Sequence, residues 1–240
     1  MEIESEYNRC FVLCGNVRTF LNCFDKNYEN IIDKLFNNNT KYNTHVLLYL
    51  KCDDPGPKGQ PGWNYSYPLI DKSDLEYEIA KFSDKYKNIT FHSNILSTNN
   101  ISDSDLLSQV KNRNLYINFL NDNKKLLRGL HCFYNFEDCG NIINKIESSY
   151  KLNFDFYIYV RPDLLIEKKC KHISDFNINK IILGEHPANK KTIDHKAIIP
   201  HKYKYDFFFK RMDFLRNNNI EIFNTIEEIY THTLKDKYYM

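Results

Sequence analysis

The sequence of 240 residues is poor in alanine, glycine and proline and has a single tryptophan. It contains three alanines against 30 asparagines, a bias that is typical of an A/T-rich genome and carries no chemistry of its own. Hydrophobic residues, aromatics included, make up 42% of the chain. The chain can therefore bury a core and is not disordered as a whole. Its length predicts one domain over residues 1–240.

Signals for membranes, secretion and nucleic acids are also missing. No apolar run approaches the roughly 18–20 residues that a membrane-spanning helix needs. Residues 1–9 are too acidic and polar for a signal peptide. The formal net charge is only +2, which indicates no basic stripe for nucleic acid. We therefore expect a cytoplasmic protein with neither a transmembrane segment nor a nucleic-acid partner.

The cysteine pattern favours reduced thiols over disulfides or zinc. The seven cysteines are odd in number and include no C-x-x-C pair. His131, Cys132 and Cys139 lack the fourth ligand and the spacing of a zinc site. Four further histidines have irregular spacing, and we interpret them as surface or loop residues. They are His172, His186, His195 and His201.

The first fifty residues predict a strand, a helix and a second strand. The apolar run Arg9–Cys14 is typical of a buried strand, and so is His45–Leu50. Between them, apolar residues recur at helical spacing from Phe20 to Phe36, with Thr19 as a suitable N-cap. This is a βαβ unit, which implies a parallel pair of strands with a right-handed crossover.

The rest of the chain continues the alternation of helices and strands. Taken together the pattern predicts an α/β fold, with a Rossmann-like, mostly parallel central sheet flanked by helices. The predicted helices cover residues 74–86, 104–120, 124–150, 212–217 and 226–234, with a break near Gly140 as the alternative for the longest of them. The predicted strands cover residues 89–92, 154–160, 164–166, 180–183 and 206–209.

Candidate ligand-binding segments follow three of these strands. Open α/β sheets bind ligands outside the carboxyl ends of their strands, where Gly15–Thr19, Lys51–Trp63 and Arg161–Asp163 fall. We predict that the first and third segments lie in one pocket. The second begins an irregular stretch up to Pro68 that we interpret as a lid over the ligand.

The first segment suits a phosphate or diphosphate, because backbone N–H groups at a helix start attract anions. The alternative is an ordinary strand-to-helix turn with a surface arginine. The residues proposed to contact the phosphates are Gly15, Asn16, Arg18 and Thr19.

The third segment places charges directly after a buried aromatic strand. In one interpretation Asp163 binds a divalent ion or orients a diphosphate, while Arg161 adds positive charge. In the other, the two side chains form a structural ion pair that closes the strand end. The residues alone leave both interpretations open.

Two of these segments together resemble a family of glycosyltransferase-like proteins found in large DNA viruses, algae, fungi and bacteria. Phe11–Phe20 resembles its opening strand and Gly-x-x-Arg-Thr-Phe turn, and Phe154–Leu164 resembles its later strand followed by Arg-Pro-Asp-Leu. The similarity extends from about residue 9 to 234. The other similar parts are Cys139–Glu147, Asp206–Phe209, Met212–Leu215 and a glutamate near the C-terminus.

The resemblance implies a GT-A-like fold, with a nucleotide-binding half over about residues 9–163 and an acceptor half over about 164–240. It implies Mn or Mg bound through an Asp-x-Asp motif, of which only Asp163 remains because Arg161 replaces the first aspartate. Asp163 then binds the metal together with water and phosphate oxygens, or Arg161 supplies part of the metal's charge.

The implied activity is transfer of a sugar from a nucleotide-sugar donor to a glycan or protein acceptor. Asp206, Glu227 or Glu228 would act as the base of an inverting reaction, and Asp194 could face the acceptor. A viral source would place the protein in the host cytoplasm. The alternative is a non-catalytic protein of the same fold that binds nucleotide sugars. A phosphate-handling enzyme of another type has no P-loop or kinase motif to support it.

Overall fold

The chain folds around a seven-stranded sheet with helices on both faces. The computed structural model describes residues 7–35, 42–52, 70–97, 100–111, 124–185, 192–218, 229, 232–234 and 238–239. The strands are β1 (Tyr7–Asn16), β2 (Tyr42–Lys51), β3 (Ile89–Leu96), β4 (Phe156–Val160), β5 (Ile181–Glu185), β6 (Thr192–Pro200) and β7 (Tyr238–Tyr239). The helices are α1 (Phe20–Asn27), α2 (Asp33–Leu35), α3 (Lys72–Lys85), α4 (Asp103–Ser108), α5 (Lys124–Tyr150), α6 (Lys204–Phe208) and α7 (Lys210–Asn217).

The strands lie in the order β3-β2-β1-β4-β6-β5-β7. The pairs β1–β2, β1–β4 and β2–β3 are parallel, and β7 is parallel to β5. Among the strands within the described ranges, only β6 is antiparallel to its two neighbours, β4 and β5. The predicted class, a mostly parallel α/β sheet flanked by helices, is therefore confirmed. Among the described helices, none is both long and apolar enough to cross a membrane.

Two apolar cores cover the two faces of the sheet, and β1 contributes to both. Phe11 and Leu13 pack with residues of α1 and α3. Cys10 and Val12 point to the other face and pack with residues of α5, α6 and α7. Burial on both faces explains why β1 is a continuous apolar run rather than an alternating one.

The helix predicted from Phe20 to Phe36 forms, but with an irregularity. Its described part is helical as far as Leu35. Between α1 and α2, residues Tyr28–Ile32 form a turn of π-helix, a local widening that is often found beside functional sites. The asparagines at Asn27 and Asn30 are buried in this region, which the helical spacing of apolar residues did not predict.

Two predicted strands are absent at their expected places. Residues 206–209 belong to α6 and the turn after it. A run of three apolar residues fits a strand or a buried helix equally well, and here Phe207 and Phe208 are both buried against α5 and the sheet. Residues 164–166 are irregular, because their backbone groups bond to side chains instead of a strand. Tyr238–Tyr239, beyond the last predicted element, form the short strand β7.

The long helix α5 continues through Gly140 without a break. A Cβ at this position would lie 2.5 Å from Cζ of Phe209 and 2.9 Å from Cβ of Phe208. The glycine therefore allows α6 to approach α5 closely, and the alternative of two helices is wrong.

We expect Gly140→Ala to destabilise the protein by about 1–3 kcal/mol, because the added methyl overpacks this contact. Urea unfolding measures the effect. Asn141→Ala is the matched control, since its side chain is exposed on the same helix and alanine favours a helix. A Gly140→Ala variant as stable as this control would show that α6 moves aside freely.

Candidate functional site

The site lies where the strand order reverses. β2 and β3 lie on one side of β1, and the chain then returns to place β4 on the other side of β1. The carboxyl ends of β1 and β4 therefore flank a crevice, the usual ligand position in open α/β sheets. Leu13 pairs with Val160, so the end of β1 lies beside the segment that follows β4.

The end of β1 is shaped by Gly15. Gly15 and Asn16 are the last residues of the strand, so the turn predicted for Gly15–Thr19 covers only the last three residues. Gly15 has φ +145°, and a Cβ there would lie 3.2 Å from Cδ of Pro162. The backbone conformation thus favours glycine, and any other residue would also crowd Pro162 in the segment after β4.

Two arginines surround the carboxylate of Asp163. Nη1 of Arg18 donates to Oδ2 at 2.8 Å. Nε of Arg161 donates to Oδ1 at 3.0 Å, and its Nη2 donates to Oδ2 at 2.9 Å. The side chains of Asp163 and Arg18 are 8% and 9% exposed, whereas that of Arg161 is 29% exposed. The two predicted segments are therefore in direct contact, across 145 positions of sequence.

The arginines keep this carboxylate ionised. Burial alone would raise the pKa of Asp163, but the hydrogen bonds and charge of Arg161, with those of Arg18, lower it below its usual value. The unfolded state therefore binds the proton more tightly. The contribution of this cluster to stability is present at neutral pH and is lost as the pH falls through the lowered pKa.

Thr19 occupies the predicted N-cap position of α1, but its hydroxyl does not cap the helix. It donates instead to the backbone oxygen of Asp163, at 3.0 Å. The N–H of Phe20 bonds back to the carbonyl oxygen of Val17, so it is turned into the chain. The contacts to the segment after β4 have replaced part of the helix-start geometry that the sequence suggested.

Two buried asparagines hold the segment after Asp163 and were not anticipated. The amide of Asn27 donates to the carbonyl oxygen of Leu164 at 2.5 Å and accepts from the N–H of Ile166 at 2.7 Å. The amide of Asn30 donates to the carbonyl oxygens of Ile166 and Glu167, at 2.7 and 3.2 Å. These side chains take the place of a neighbouring strand. Their positions on the apolar face of the helix could have indicated that they are buried. Asparagine is so frequent in this sequence that these two positions did not stand out.

The residues present do not fit a bound Mn or Mg ion. Asp163 is the carboxylate of the site, and both its oxygens accept hydrogen bonds from guanidinium groups. A hard cation requires several oxygen ligands and would be repelled by the two arginines. No group of three His, Cys, Asp or Glu side chains within the described ranges is arranged to hold a metal.

Asp206, predicted as a catalytic base, lies away from this cluster. β6 runs antiparallel to β4, and its last residue, Pro200, pairs with Phe156 at the start of β4. The helix α6 therefore begins near the amino end of β4, whereas Asp163 follows its carboxyl end. The carboxylate of Asp206 contacts Nζ of Lys210 at 3.1 Å. Within the described residues, the structure therefore does not bring Asp206 together with Gly15–Thr19 or Arg161–Asp163.

Several predicted residues lie outside the part of the chain that the structure describes. This applies to Glu227 and Glu228, to most of the predicted lid including Trp63, and to the side chain of Asp194. Their proposed roles remain predictions.

No family model and no curated protein matches the sequence. Among solved structures, the glycosyltransferase GlyE of Streptococcus pneumoniae TIGR4 is similar over 98% of this chain, with 10% identity and a TM-score of 0.44. A cysteine-to-serine mutant of a transferase is similar over 95% of this chain and 85% of its own, with 9% identity and a TM-score of 0.42. The chain spans 44% of the length of GlyE. These similarities are low, and the proposal below rests on the site.

Proposed function

We propose that the protein is a glycosyltransferase that takes its sugar from a nucleotide-sugar donor. The observation that carries this proposal is the meeting of Arg18, Arg161 and Asp163 between the carboxyl ends of β1 and β4. Such a donor carries two phosphates, and its leaving group is a nucleoside diphosphate that gains negative charge during transfer. Guanidinium groups fixed beside that charge stabilise the transition state.

The remaining roles follow from position. The phosphates would lie against the turn after β1 and against Arg161, with Gly15 allowing close approach of the two segments. Asp206 lies in α6, which follows the end of β6 that pairs with the start of β4, and we therefore propose Glu227 or Glu228 as the base of an inverting reaction. The acceptor, a glycan or a protein, would enter beside the sugar.

A second candidate is a protein of the same fold that binds nucleotide sugars without turnover. It is favoured by the loss of the first carboxylate of the Asp-x-Asp motif, since Arg161 stands in its place and both oxygens of the remaining Asp163 accept hydrogen bonds from arginines. Folds persist after catalysis is lost.

The purified protein tests both candidates in a panel of UDP- and GDP-sugars, with Mn²⁺, with Mg²⁺ and with EDTA. We expect at least one donor to raise the melting temperature and to be hydrolysed slowly, because many transferases use water in place of the acceptor. Stabilisation without any hydrolysis or transfer would favour the binding protein. A panel with neither stabilisation nor hydrolysis would overturn the nucleotide-sugar site.

A further inference from the structure

The two outer strands of the sheet differ in how well they are protected from other chains. At one end, β7 has only two residues, and a very short edge strand limits pairing with another chain. At the other end, β3 pairs with β2 over eight residues and has no neighbour on its outer side within the described ranges. β3 therefore presents a row of backbone N–H and C=O groups at an open edge.

The sequence of β3 lacks the features that keep open edges apart. Natural edge strands usually carry a charged side chain, a proline or a bulge. Ile89–Leu96 contains no proline, lysine, arginine, aspartate or glutamate, and its register with β2 is unbroken. Its one titratable side chain is His92, and burial lowers the pKa of this imidazole below its usual 6.5. The strand is therefore uncharged at neutral pH and is suited to pairing with another strand.

β3 is also complementary to a second copy of itself that runs antiparallel. About a twofold axis through Ser93, perpendicular to the sheet, residues at equal distances from Ser93 lie opposite each other and point to the same side. Phe91 then lies opposite Ile95 of the second copy, and both side chains pack into the apolar core on the α3 side of the sheet. Thr90 lies opposite Leu96 on the other side. Ser93 is small and exposed, so it meets its own copy without steric conflict.

The charges of α3, the helix that packs beside β3, fit the same arrangement. The first half of α3 carries three carboxylates and one lysine, and its second half carries two lysines and one aspartate. The twofold axis places two copies of α3 on one face of the joined sheet, running in opposite directions. The acidic half of each helix then lies towards the basic half of the other, and such complementary charges favour one orientation of the two chains.

We propose that the protein forms a twofold-symmetric dimer in which β3 pairs with β3 of a second copy and the two sheets become one. A second copy is favoured over a strand of another protein, because the self-complementary residues of β3 and the charges of α3 both belong to this chain. The pairing closes the open edge of each copy, so assembly stops at two chains. The crevice between β1 and β4 begins two strands away from the joined edge, so the dimer does not depend on the proposed function.

Analytical ultracentrifugation over a range of protein concentrations measures the dimer, and we expect a reversible equilibrium between one chain and two. Ser93→Lys should weaken the dimer by about tenfold or more, because two lysines would lie opposite each other across the axis. Ser174→Lys is the matched control. It makes the same exchange at an exposed position, in the segment that leads into β5 at the other end of the strand order, and should leave the dimer unchanged.

A second pair of measurements keeps the test decisive if a lysine at position 93 disturbs folding. Ser93→Glu should weaken the dimer as Ser93→Lys does, whereas an equal mixture of the two variants should dimerise, because opposite charges then face each other across the axis. In the unmodified protein, amide protons of β3 should exchange with solvent more slowly at high protein concentration than at low concentration, because pairing protects them.

A protein that remains a single chain at every concentration would overturn the β3 dimer. A dimer that Ser93→Lys weakens no more than Ser174→Lys would lie on another surface and would overturn it too. So would assembly beyond two chains, or hydrogen exchange in β3 that does not depend on protein concentration. None of these results bears on the nucleotide-sugar site, which the panel of donors tests separately.

Discussion

Replacing Glu147 with alanine is expected to lower the free energy of unfolding by about 3–5 kcal/mol, the cost of breaking a buried ion pair from one side. Its carboxylate is 8% exposed. Oε1 accepts from the hydroxyl of Tyr157 at 2.6 Å and from the N–H of Phe154 at 3.1 Å, and Oε2 contacts Nζ of Lys204. One side chain thus joins the end of α5 to the start of β4 and to α6. Urea unfolding at pH 7 measures the loss.

The control for Glu147 is Glu78→Ala. Glu78 also pairs with a lysine, Lys81, but both side chains are well exposed, and such surface pairs contribute about 0–1 kcal/mol. Equal effects of the two substitutions would mean that the buried network contributes no more than a surface pair.

The same carboxylate predicts sensitivity to acid. Burial raises the pKa of Glu147, but the bonds from Lys204, Tyr157 and Phe154 outweigh it and leave the pKa below its usual 4.5. The unfolded state therefore takes up the proton first. The stability that this group contributes is complete above its usual pKa of 4.5 and is lost as the pH falls through the lowered pKa. The difference in free energy of unfolding between the unmodified protein and Glu147→Gln should therefore decrease in acid.

Asn27→Ala should have a comparably large effect, a loss of about 2–6 kcal/mol in the free energy of unfolding, because it leaves two buried backbone groups without their partners at about 1–3 kcal/mol each. The carbonyl of Leu164 and the N–H of Ile166 both bond to this amide, which is fully buried. Thermal and urea unfolding measure the change. Asn27→Asp should be no better, because a carboxylate cannot donate to the carbonyl of Leu164.

Asn22→Ala is the control, since Asn22 lies on the same helix with an exposed side chain. Its stability should change by a few tenths of a kcal/mol at most, as for other surface positions. If Asn27→Ala behaved like Asn22→Ala, water would be replacing the amide, and the segment after Asp163 would be held by other contacts.

Much of the fold was predictable because apolar patterning dominates its central elements. β1, β2 and β4 are buried on both faces and appear as short apolar runs, and α5 is long enough for helical spacing to be unmistakable. The run at residues 206–209 was mistaken for a strand because four residues are too few to distinguish the two periods. The packing of this run against α5 distinguishes the helix from a strand.

The site was predictable in place but not in detail. The rule that ligands bind beyond the carboxyl ends of strands correctly brought the segments of Arg18 and Asp163 together. The ion pair of Asp163 with Arg161 was one of the two interpretations that the residues left open, whereas its pairing with Arg18 required side-chain geometry that one sequence does not contain. The same is true of Asn27 and Asn30, whose roles depend on a turn of π-helix that shifts the helix face.

The position of β4 beside β1 also bears on how the chain folds during synthesis. When the first 150 residues have emerged from the ribosome, β1, β2 and β3 can pair, but β1 remains an open edge with a row of unpaired backbone groups. Closing the long loop that brings β4 to this edge is slow. A nascent chain at this stage is exposed to strand exchange with other copies, and arrival of β4 ends that exposure in the same step that brings Arg161 and Asp163 next to Arg18.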